Sequence, residues 1–175
     1  SEINATNGRF VYPFFQAPCG PNARRGKLRV DTSDVDPSQN AGAVYFVEAQ
    51  YVSVDSPPDY PDEYDYGTQH NNVSYRQIKH QTASQTTPVG TTVTEAAAIM
   101  AWENYGGTVN QVWTPEDEDM VALMHIGHNV VDNGDGTWTY NYAVHNQNSH
   151  NGAGGFSVPL SPCVTVTDVY FTAPD

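Results

Sequence analysis

Basic residues are scarce in this chain: seven Lys and Arg stand against 20 Asp and Glu, for a formal charge of −13. A surface of that sign repels phosphate backbones and anionic lipid, and it leaves no basic stripe, so nucleic acid is not expected as a partner. Charged residues of either sign reach only 15% of the chain, below the roughly 25% usual for soluble domains. Asn, Gln, Ser and Thr stand in their place, a balance more typical of exported β proteins than of cytosolic enzymes. No apolar run approaches the roughly 18 residues that a membrane helix needs, and membrane insertion is not expected.

Cysteine is nearly absent too. Cys19 and Cys163 lie near opposite ends, in neither a CxxC pair nor a zinc-knuckle spacing. They are expected either to pair as a disulfide, worth about 4–5 kcal/mol on the chain-entropy argument, or to remain two buried thiols. No GxSxG elbow is present, so no nucleophilic triad is legible. The paired carboxylates of a glycosidase leave no local signature at all.

What the chain does hold is ring surface and β pattern. It has 11 Tyr among its 175 residues, too many rings for a disordered segment and enough length for one core. One β-rich domain over residues 1–175 is expected, an excerpt of a longer exported chain that opens on Ser1 and closes on a strand without an evident partner. Strands are predicted at 9–15, 27–30, 43–54, 73–79, 120–131, 137–145, 155–160 and 164–172. In 43–54, Tyr45, Val47, Ala49 and Tyr51 share one face, and Phe46, Glu48, Gln50 and Val52 the other. Asp132-Asn133-Gly134-Asp135-Gly136 has the Asn-Gly and Asp-Gly chemistry of a hairpin turn. The strand after it puts Trp138, Tyr140, Tyr142 and Val144 on one face, where they are expected to cover a core. One short helix is predicted near 94–105, with Thr94 as N-cap, Glu95 in its first turn and Gly106 at its end. The sum is an all-β fold, mainly antiparallel and sandwich-like, with that single helix.

Candidate ligand groups are scattered. Asp31, Asp34 and Asp36 can supply several oxygens to a structural calcium ion, as can Asp59, Asp62, Glu63 and Asp65 or the run Glu116 to Asp119; solvated loop charge is the plain alternative. His125 and His128 point to opposite strand faces and cannot share a metal without a bulge, whereas His125 and His145 meet across the hairpin in some registers. Tyr60, Tyr64 and Tyr66, in the loop DSPPDYPDEYDYG, offer rings on which a glycan could stack. Asn4 and Asn72 head glycosylation sequons, and the Thr- and Ser-rich stretch 82–94 can carry O-linked sugar.

Three stretches carry a resemblance: SEINA at 1–5, GTQHNNVSYR at 67–76 and GDGTWTYNYAVHNQNSHNGAGGFSV at 134–158. Together they resemble the central region of large exported β-rich proteins of planctomycete-type bacteria, which have no assigned activity. The resemblance implies export and a longer parent chain, and it transfers no catalytic residue. GDGTWTY also resembles the hairpins of bacterial Ig-like surface domains. The expected function is a non-enzymatic extracellular or cell-surface module acting in self-assembly or adhesion, with itself or another surface protein as partner. An exported carbohydrate-binding or polysaccharide-hydrolysing domain is the alternative.

Overall fold

Residues with period-two alternation form six strands in the computed structural model, which describes residues 3–9, 30–61, 67–82, 84–116 and 119–172. The strands are β1 (Tyr45–Gln50), β2 (Val73–Thr82), β3 (Gln85–Thr94), β4 (Thr108–Pro115), β5 (Val121–Asp132) and β6 (Trp138–Asn146). They make two three-stranded antiparallel sheets, ordered β1–β2–β3 and β4–β5–β6. The predicted mainly antiparallel β fold is therefore what the chain adopts.

The β5–β6 hairpin follows from its turn. Gly134 and Gly136 take φ of 77° and 89°, values open to glycine without a Cβ clash. Asp132 Oδ1 accepts from the Gly134 N–H at 2.9 Å, and Asp135 Oδ1 accepts from the Thr137 N–H at 2.9 Å. These bonds fix the register, so that Asp132 pairs with Trp138 and Met124 with Asn146.

The predicted helix is real but starts later and is a 3₁₀ helix, Ala98–Tyr105. Thr94 does not cap it: Thr94 ends β3 opposite Ser74, and Glu95 sits at φ 58° as the chain turns out of the sheet. A distant side chain supplies the cap. Glu48 of β1 accepts from the Ala98 N–H at 2.6 Å through Oε2, satisfying a donor that the first turn leaves free. At the far end Gly106, at φ 78°, closes the helix on the Trp102 carbonyl as predicted.

Other expectations are corrected. Most of the polar stretch 82–94 forms β3 (Gln85–Thr94), exposed along its whole length; its Thr and Val residues suit an edge strand. β4 went unread behind its Gly-Gly start. The acidic loop that holds Asp31, Asp34 and Asp36 contains one helical turn, α1 (Thr32–Val35). Residues 155–160 and 164–172, predicted as strands, join no ladder among the described residues. The predicted strand 9–15 and most of 27–30 lie outside the described residues.

The core is small and lies where the 3₁₀ helix bridges the sheets. Val73 and Tyr75 of β2, Ile99 and Ala101 of the helix and Leu123 of β5 are buried there, with Ala97 beside them, while Ala122 and Met124 are buried on the opposite face of β5. On β1 it is the Phe46, Glu48 and Gln50 face that turns inward; Phe46 meets Tyr75 and Tyr105 edge-on at 5.8 and 6.2 Å. At Gly127 the helix comes so close that a Cβ would stand 3.2 Å from Trp102 Cε3 and 3.3 Å from Ile99 Cδ1.

Candidate functional site

The inner face of the β4–β5–β6 sheet carries Trp113, Leu123, His125, Gly127 and His145, as the register requires. Two carboxylate–imidazole pairs gather about that face. In the first, Glu48 Oε1 lies 3.2 Å from His145 Nε2 while Oε2 holds the Ala98 N–H. One side chain thus ties β1, the 3₁₀ helix and β6 together. Burial alone would raise the Glu48 pKa, but hydrogen bonds from His145 and Ala98 outweigh it and hold the carboxyl below its ordinary value. His145 stands directly across from His125. The His125 side chain is buried and its Nδ1 has no partner among the described residues. Burial, with the neighbouring His145, pushes its pKa down to about 4.

The second pair is Asp59 and His70. The Asp59 backbone bridges to Val121 at the start of β5, which carries its carboxylate into the interior at 1% exposure. Oδ1 lies 2.7 Å from His70 Nδ1, and Oδ2 accepts from the His70 N–H at 3.1 Å and from Asn148 Nδ2 at 3.3 Å. The bond to Asp59 raises the His70 pKa, against the lowering effect of burial. The His70 ring meets Trp113 edge-on at 5.3 Å.

Buried amides complete this interior. Asn148 accepts from the Leu123 N–H at 2.7 Å through Oδ1 and from Thr6 Oγ1 at 3.0 Å through its carbonyl. Gln147 donates to the His70 carbonyl, and Ser149 to Glu116 Oε1. No Ser, Thr or Cys side chain is bonded to His70, His125 or His145 among the described residues. The pairs therefore have the geometry of struts between elements, without a hydroxyl or thiol that an imidazole base would activate.

The predicted site residues are dispersed. Asp31 caps α1 through the Ser33 N–H, and Asp36 accepts from the Ser38 N–H and hydroxyl; these bonds hold both carboxyls below their ordinary pKa. The Asp34 backbone carbonyl accepts from Tyr45 Oη at 2.7 Å. Among the described residues no three His, Cys, Asp or Glu side chains converge to hold a metal ion. Cys163 is exposed and unpaired, so it is not the buried thiol of one expectation; Cys19 lies outside the described residues. Tyr60 is half-buried, while Tyr64 and Tyr66, like Asp62, Glu63 and Asp65, lie outside them. Asn4 Oδ1 accepts from the Thr6 and Asn7 N–H groups, and Asn72 Nδ2 donates to Ser56 Oγ, so the fold engages both sequons.

The outer face of the same sheet is buried at Ala122 and Met124 but exposed along β6. Trp138, Tyr140, Tyr142 and Val144 were expected to cover a core, yet they are 40% to 59% exposed, with Val130 beside them. Among the described residues their one ring contact is Phe156 against Tyr142, centroids 5.4 Å apart. Alternation identified the face as apolar; which element covers it is a tertiary fact that alternation does not contain. Comparison of the chain with protein-family models, with curated proteins and with solved structures finds no match.

Proposed function

We propose that the chain is a non-enzymatic structural module that works by association, in self-assembly or adhesion at the outside of a cell. The observation that carries this reading is the bare apolar stripe of β6. A row of Trp, Tyr and Val side chains at roughly half exposure is unusual on a soluble monomer, where contiguous apolar patches beyond a few hundred Å² mark contact surfaces. Low charge content and the resemblance to exported proteins support placement outside the cell.

Sedimentation across a hundredfold range of concentration tests the proposal. Expected is a rise in mass above 19.2 kDa that Trp138→Ser and Tyr140→Ser together abolish without lowering the unfolding midpoint. A chain that stays single at every concentration and adheres to no surface refutes it. The same rings favour a second reading, polysaccharide binding by stacking on Trp138 and Tyr140. Retention on a glycan array by a single-chain particle would select it.

A further inference from the structure

The chain carries both halves of a strand-addition interface. Among the described residues β6 is an edge of its sheet, and its outward N–H and C=O groups meet no neighbouring strand there, an arrangement that invites pairing with another chain. The segment after it supplies a matching strand. From Gly155 to Leu160 the residues are exposed, belong to no helix or strand and make no backbone–backbone bond among the described residues. Its apolar residues alternate in the sequence, so that paired as a strand it puts Phe156, Val158 and Leu160 on one face.

Charge narrows the occupant. The chain holds 20 acidic residues, yet from Gly136 through Thr167 it contains no Asp, Glu, Lys or Arg. Two copies at a net charge of −13 repel each other over most of their surfaces, and β6 with its following segment is where they approach free of that repulsion. The prolines agree. Alternate residues of a strand turn their N–H and C=O to opposite edges, so a register that offers those of Phe156, Val158 and Leu160 to β6 turns Pro159 outward, where a missing N–H costs no ladder bond.

We infer that a second copy of this chain docks at β6, the segment Phe156–Leu160 of one copy adding as a strand to the β6 edge of the other. Main-chain bonds hold the strand, and its apolar side chains extend the Trp138, Tyr140, Tyr142 and Val144 stripe toward burial. The inference rests on the assembly reading and names its surface.

The test is sedimentation of the full chain with amide exchange read along residues 138–146. Association is expected to slow exchange in β6 at least tenfold, and a synthetic peptide of Gly155–Ser161 in excess is expected to dissolve the assembly. Val158→Glu should weaken association at least tenfold; Val158 is exposed, so the variant folds, which its unfolding curve checks. Association that survives both the peptide and Val158→Glu unchanged overturns strand addition and leaves the assembly reading standing. A chain that remains single at millimolar concentration, whether or not the face takes a glycan, overturns both.

Discussion

His125 and His145 are direct partners across the β5–β6 hairpin, their rings 5.6 Å apart at 56°. The pairing puts two imidazoles side by side where only one, His145, has a carboxylate against it. His125 is the one left without compensation, and the groups that act on its charge are His145 and Glu48.

Acid should therefore loosen the fold in a defined window. Unfolded His125 protonates near the ordinary 6.5, folded His125 only at about 4. Between those values the unfolded chain binds more protons, so stability falls as pH is lowered from 6.5 to 4. At ~1.4 kcal/mol per pH unit the loss reaches about 3 kcal/mol. His70 has the opposite sign. Its pKa is raised by Asp59, so its contribution is complete below 6.5 and fades as pH rises through the folded value. Urea unfolding from pH 4 to 8 should show decline on both sides. His125→Gln should flatten the acid limb and His70→Gln the alkaline one; a flat wild-type acid limb would contradict the assignment.

Glu48 should be worth more than an exposed carboxylate, because each of its oxygens serves a different element. Glu48→Ala leaves the Ala98 N–H and His145 Nε2 without their partner, a loss expected near 2 kcal/mol. Glu48→Gln keeps an acceptor for Ala98 and should recover about half. Denaturant midpoints of the two variants measure the difference. Equal losses would mean that the charge beside His145, rather than the cap on the helix, is what matters.

How much of this was legible beforehand depends on range. The hairpin was, because Asn-Gly and Asp-Gly are local chemistry and the alternation on either side is unbroken. That His125 and His145 meet was legible only as one register among several. The late start of the 3₁₀ helix was not, since its cap comes from Glu48, 50 residues away, while Thr94 offered a local cap that the β3 ladder took instead. The Asp59–His70–Asn148 centre left no signal either. Its members are far apart in sequence, and Asp59 read as one more acid in a proline-rich loop.

Gly127 offers a test of the contact between sheet and helix. A methyl there meets Ile99 and Trp102 at 3.2–3.3 Å, within reach of small side-chain shifts, so Gly127→Ala should cost about 1 kcal/mol or less. Gly127→Val adds atoms that the Ile99 side chain has no room for and should cost about 1–3 kcal/mol. Tryptophan fluorescence of Trp102 should shift with Val, where a purely backbone effect would leave it unchanged.

Asn148 is the position whose loss should be felt furthest. It is fully buried and its side chain serves two partners, accepting from the Leu123 N–H and donating to Asp59. Leucine of similar bulk fills the space but leaves the Leu123 N–H without an acceptor in a dry interior, and it takes from Asp59 Oδ2 one of two donors, the His70 N–H remaining. An unsatisfied group of that kind costs about 1–3 kcal/mol, which is the loss expected for Asn148→Leu. Asn148→Asp separates the two partners, since it keeps an acceptor for Leu123 while placing a second carboxylate against Asp59. If the contact with Asp59 dominates, Asn148→Asp should be the worse variant at pH 7 and should recover as pH falls and one of the two acids takes up a proton. If the Leu123 bond dominates, Asn148→Asp should be the milder at every pH, with amide exchange at Leu123 still slow.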